Sequence, residues 1–128
     1  MEAAMGVVLD HVVVRSTDRR ASARFFARLL GLRVEPPTGP FAPVRVGDGL
    51  TLDFDDRGPV LPGHYGFLVD DGTFDALLGV LAEDPGIRHG SGPGNGWDRR
   101  INTLAGGRGV YVGDPDGHSY EFFTARPA

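Results

Sequence analysis

Gly113-Asp114-Pro115-Asp116-Gly117-His118-Ser119-Tyr120-Glu121-Phe122-Phe123 is the stretch whose reading decides the fold. Asp-Pro-Asp-Gly is a tight turn: proline presets φ at the second position, and glycine takes the exit conformation other residues avoid. Val110-Tyr111-Val112 before it and Tyr120 to Phe123 after it are rich in β-formers, so the whole reads as a hairpin. Alternation within the second strand puts Ser119, Glu121 and Phe123 on one face and His118, Tyr120 and Phe122 on the other. A carboxylate in so apolar a strand is costly to bury without a partner. The partner of Glu121 is therefore the question put to the rest of the chain.

Upstream, the same order of elements occurs twice. Leu9 to Arg15 forms a strand with Leu9, His11, Val13 and Arg15 on one face, and Ser16-Thr17-Asp18 offers helix caps. Ala21, Phe25 and Leu29, spaced by four with Phe26 and Leu30 beside them, predict an amphipathic helix over 19–30 that ends at Gly31. A short strand near 32–35, a proline-rich loop, and the hairpin Val44-Arg45-Val46, Gly47-Asp48-Gly49, Leu50 to Phe54 follow. Asp55 to Pro62 is a polar joint. Then come the strand His64 to Val69, a helix over 73–83 carrying Phe74, Leu77, Leu78 and Leu81, a strand near Ile87, a glycine-rich loop, and the closing hairpin. The order is βαβββ twice, in one domain over 1–128 with modules at about 7–56 and 62–125. His11 matches His64, and Val46-Gly47-Asp48 stands before Leu52-Asp53-Phe54 as Val112-Gly113-Asp114 stands before Tyr120-Glu121-Phe122. Asp53 thus holds in the first half the place of Glu121 in the second.

Composition removes several function classes. The net charge of −4 argues against a general nucleic-acid binder. The absence of cysteine excludes disulfides, thiolate ligands and thiol nucleophiles, and the absence of lysine excludes Schiff-base chemistry. No apolar run reaches membrane length, and no basic segment precedes Val7 to Leu9, so a cytoplasmic location without membrane contact is expected.

In its motifs the chain resembles the vicinal oxygen chelate superfamily: glyoxalase I, bleomycin-resistance proteins, fosfomycin-resistance enzymes and extradiol dioxygenases. Asp10-His11-Val12, Phe25 to Leu32, Gly63-His64-Tyr65-Gly66-Phe67 and Gly109 to Glu121 carry the resemblance from Leu9 to Phe123. It implies an α+β fold of two tandem βαβββ modules forming a curved, open, barrel-like cup. It further implies that His11, His64 and Glu121 are metal ligands, with Glu121 also the catalytic carboxylate. Two imidazoles and a carboxylate suit one divalent ion, Fe, Mn, Ni or Zn, with positions left for a small-molecule substrate that chelates through two oxygens. Taken singly, a strand histidine or glutamate is more often an ordinary satisfied polar residue; the family spacing is what sets these three apart.

Four-ligand members of the family have a glutamate where Asp53 stands, so Asp53 is a ligand through water, a substrate contact or a turn cap. Trp97 and Asn102 lie in the long glycine-rich stretch 85–109, read either as a flap over an apolar ligand or as a plain surface loop. Together Asp53, Trp97 and Asn102 are the expected substrate pocket. His118 and the three tyrosines are read as turn and packing residues. Lyase, isomerase, dioxygenase and transferase chemistry all remain open. The alternative is a metal-free protein that sequesters a drug or metabolite, as bleomycin-resistance proteins do; those typically lack the three ligand residues that this chain keeps. A homodimer is expected, because an open sheet leaves edges to cover.

Overall fold

The computed structural model describes residues 6–126. The chain divides between Val60 and Leu61 into two compact units.

In the first unit, β1 (His11–Arg15), α1 (Arg19–Leu30), β2 (Ala42–Val46) and β3 (Leu50–Asp55) form a three-stranded sheet in the order β1-β3-β2 with one helix. The expected bounds of α1 hold because both ends carry chemical stops. Asp18 caps the start, its carboxylate accepting from the backbone N–H groups of Arg20 and Ala21 at 3.1 Å each. Gly31 ends the helix at φ 66°, where a side chain would be strained. The buried stripe is Ser22, Ala23, Phe26, Ala27 and Leu29, whereas Ala21 is exposed and Phe25 half-buried. The inward face is therefore turned about one residue from the expected Ala21–Phe25–Leu29 line. It packs Phe26 against Phe54 of the sheet, with ring centroids 6.3 Å apart. Each phenylalanine so buried contributes about 1.5–3 kcal/mol relative to exposure. The strand expected near 32–35 shrinks to one bridge, Val34 with Val44, and a bond from the Glu35 N–H to the Pro43 carbonyl. Pro36 and Pro37 have no N–H with which to continue the ladder.

In the second unit, β4 (His64–Leu68), α2 (Asp71–Glu83), β5 (Arg88–Gly90), β6 (Gly109–Gly113) and β7 (Ser119–Phe123) form a four-stranded sheet in the order β4-β7-β6-β5. Asp70 caps α2 by accepting from the Thr73 N–H at 2.7 Å, which starts the helix two residues before the expected position. Phe74, Leu77 and Leu81 face inward. Val110, Val112, Phe67, Tyr120 and Phe122 are buried, with Phe67 and Phe122 stacked at 5.4 Å.

The two units repeat one another at the level of register. β1 runs parallel to β3 with His11 opposite Thr51, so Asp53 lies two positions on. β4 runs parallel to β7 with His64 opposite Ser119, and Glu121 again lies two positions on. Both first strands alternate exposed, half-buried, exposed, buried, exposed. Among the described residues no helix is long and apolar enough to cross a membrane.

Candidate functional site

The closing hairpin sets the position of Glu121. Asp114 is buried, and its Oδ1 accepts from the backbone N–H groups of Asp116 at 2.9 Å and His118 at 2.8 Å. The Gly117 N–H returns to the Asp114 carbonyl at 3.1 Å, and Gly117 itself sits at φ 90°. A turn so held leaves one register, with Gly113 opposite Ser119 and Tyr111 opposite Glu121.

The partner of Glu121 is His64: Nε2 lies 2.9 Å from Glu121 Oε1. His64 is half exposed, while Glu121 keeps only 19% of its side-chain surface, so the pair sits at the open face of the sheet with the carboxylate on the inside. The Tyr111 ring lies 5.7 Å from the His64 ring. Burial pushes the Tyr111 hydroxyl up from its ordinary value, and the charge and hydrogen bond of Glu121 push it further the same way. Tyr111 therefore remains a protonated phenol, a donor beside an acceptor, through the neutral range. Its place in an apolar strand suggests by sequence only a packing residue. The signal that identifies it is the hairpin register, which counts back from the Asp114–Gly117 turn and sets Tyr111 across from Glu121.

In the first unit the corresponding histidine is bonded to its chain neighbour Asp10, and Asp53 acts on it only through charge. His11 Nδ1 lies 3.0 Å from Asp10 Oδ2, and that contact raises the imidazole above its ordinary value. Burial raises the Asp53 carboxyl, against the opposing pull of His11. His11, Asp53, Asp10, Glu35, Arg45 and Thr51 line an open cleft of about 430 Å³. Within either unit, among the described residues, no third His, Cys, Asp or Glu completes a metal-holding group.

The stretch 85–109 is tied down at several points. Asp98 accepts from the Ser91 N–H at 2.9 Å and the Ser91 hydroxyl at 2.6 Å. Asn102 exchanges backbone bonds with Gly109, and its amide nitrogen donates to the Ser91 carbonyl at 2.8 Å. The amide of Asn102 thus braces the loop. Trp97 lies against Gly113, and the Arg88 guanidinium stands 5.1 Å from its ring. With 42% of its surface exposed, Trp97 lines a cleft of about 240 Å³ together with Tyr111, Ser119, Gly92 and Gly96. Ser119 and Tyr111 share the sheet face of Glu121, which places this cleft beside the His64–Glu121 pair.

Two mixed sheets, of three and four strands, each presenting a histidine and a carboxylate at one register, define the glyoxalase/bleomycin-resistance/dioxygenase class of fold. Solved structures agree. Oxidase ChaP-H2 is 42% identical over 97% of this chain and 98% of its own, with a TM-score of 0.89. Oxidase ChaP-H1 is 51% identical over 95% of this chain and 98% of its own, with a TM-score of 0.84. A glyoxalase/dioxygenase from Nostoc punctiforme is 26% identical over 98% of this chain and 97% of its own, with a TM-score of 0.67. No protein-family model and no curated protein matches the chain. The chain belongs to the vicinal oxygen chelate superfamily.

Proposed function

We propose that the protein is a divalent-metal enzyme of oxidase type, acting on a small substrate that presents two adjacent oxygens. His64 and Glu121 are two of the ligands in this reading. The observation that carries it is the His64 Nε2–Glu121 Oε1 distance of 2.9 Å on an open sheet face. Two donors bound side by side at ~2.1 Å from one ion stand roughly 3 Å apart, so the pair fits neighbouring coordination positions. An imidazole nitrogen with a carboxylate oxygen also suits the first-row divalent metals. The oxidase assignment takes its support from the two relatives at 42% and 51% identity that bear that name.

A bound ion of this kind supplies Lewis acidity and, for iron or manganese, one-electron chemistry with dioxygen. The chain supplies the rest. Glu121 and His64 fix the binding point, and Tyr111 holds a proton beside it for a substrate oxygen. Trp97, Tyr111 and Ser119 receive the apolar part of the substrate and keep water from it. Metal analysis of protein purified without chelators, paired with Glu121→Ala, tests the reading. The variant should bind metal far more weakly while remaining folded, because a direct donor is lost. Wild-type protein that takes up none of Fe, Mn, Ni or Zn would sink the proposal and leave the sequestering role in its place.

A further inference from the structure

His118 lies outside the roles assigned so far. By sequence it is a turn residue facing away from Glu121, yet its side chain is buried, at 1% exposure. Its Nδ1 accepts the backbone N–H of Gly63 at 2.9 Å. An accepting Nδ1 means that the ring carries its proton on Nε2. One position on, the Ser119 N–H donates to the Gly63 carbonyl at 2.9 Å. Both backbone groups of the residue before His64 are thus held by His118, which ends the turn, and Ser119, which opens the Glu121 strand.

We propose that His118 is a positioning residue for the His64–Glu121 pair. β4 and β7 pair in parallel from His64 and Ser119 onward, so Gly63 is the first point at which their relative height is set. The His64 side chain is 56% exposed and cannot be located by packing alone. Its imidazole is reached by the Glu121 bond and the Tyr111 ring only from the point at which the 63–64 backbone delivers it. His118 is held in turn: its N–H is bound by Asp114, and its ring meets that of Tyr65 edge-on at 5.7 Å. The Tyr120 hydroxyl donates to the other Asp114 oxygen at 3.1 Å. The Asp114–His118 turn therefore shapes the hairpin and also fixes the neighbouring strand at its entry. The metal side of this role rests on the ligand reading given above; the positioning of the pair does not.

The test uses the full chain and two polar variants. In His118→Asn the carboxamide oxygen stands where Nδ1 stands, whereas in His118→Gln it stands further out, away from Gly63. In the metal-free wild type, a scalar coupling across the hydrogen bond between the Gly63 amide nitrogen and His118 Nδ1 is expected, together with slow exchange of the Gly63 amide. Absence of that coupling overturns the proposal without any variant. Titration with Zn²⁺ should show His118→Asn within about threefold of wild type and His118→Gln weaker by about tenfold or more, the range for a residue that supports a ligand from behind. Equal affinities in the two variants would overturn it. If the wild type binds no Zn²⁺, the metal reading has failed, and the nuclear Overhauser contact between the His64 ring and the Glu121 side chain decides instead. Retention in Asn with loss in Gln supports positioning, and the same result in both refutes it.

Discussion

Gly113→Ala tests whether the loop face of the cleft is as firmly built as its contacts imply. Gly113 lies on β6 opposite Ser119, and the indole of Trp97 rests directly on it. A β-carbon at this position would stand 2.8 Å from Trp97 Cζ2, 2.9 Å from Cη2 and 3.1 Å from Arg88 Nη2. Ordinary carbon contacts lie near 3.5–4.0 Å, so the indole must retreat by about 1 Å. The Arg88 guanidinium, 5.1 Å from that ring and opposite Gly113 across the ladder, is crowded with it, and its Nη2 is bound to the Asp114 carbonyl at 2.6 Å. Retreat therefore disturbs the cation–π contact and strains the Arg88 bond, and overpacking of this kind costs about 1–3 kcal/mol. Trp97 is the sole tryptophan, so intrinsic fluorescence reads its surroundings without ambiguity. The variant should show a red-shifted emission maximum and a lower unfolding midpoint in urea. An emission spectrum and midpoint equal to those of wild type would refute the account of Trp97 as a fixed wall.

Three further outcomes follow from the structure. Hydrogen bonds from Arg57, aided by the charges of Arg57 and Arg15, hold the Asp55 carboxyl down at about 2. A folded value below the unfolded one, ~3.9, gives stability that is present above about pH 4 and lost as pH falls toward 2. Asp55→Asn should flatten that part of the wild-type melting curve against pH, and an unchanged acid limb would count against the pairing. Gly31→Ala places a β-carbon at φ 66° and should cost about 1 kcal/mol in chemical denaturation, with α1 otherwise intact; a stabilised variant would contradict the cap assignment. Val7, Val8 and Leu9 are 83%, 70% and 67% exposed, an apolar run of the kind that a homodimer would cover. Sedimentation should show a dimer at micromolar concentration, and a stable monomer would remove that expectation.

The ends of α1 were legible because Asp18 and Gly31 are local chemical stops, readable without knowing what the helix packs on. Its inward face was less legible. Ala21 and Phe25 fit a spacing of four as well as Ser22 and Phe26 do, and only the position of Phe54 across the interface chooses between them. The shrunken strand at Val34 was overestimated because its local pattern is extended, while Pro36 and Pro37 act on pairing rather than on local shape. The His64–Glu121 contact was legible as a pair of residue types, but its distance depends on the β4–β7 register, which no neighbouring sequence encodes. Tyr111 lies within one hairpin of Glu121, and the register of that hairpin, not the residue type, sets it across from the carboxylate. The role of His118 could not have been read from sequence, because its partner is a backbone N–H distant in the chain.

In both units the central strand is the last one in sequence. β3 lies between β1 and β2, and β7 lies between β4 and β6. Neither first strand can acquire its neighbour until the chain has returned from the far end of its unit: His11 waits for Thr51, and His64 for Ser119. Closing so long a loop costs entropy before any rung of the ladder repays it, and folds dominated by such contacts form slowly. During synthesis, β1 and β4 each emerge with an unpaired edge and no sheet to join, a state open to pairing with other chains. The same arrangement makes each sheet cooperative, because removing its final strand leaves no two-stranded remnant that contains the first.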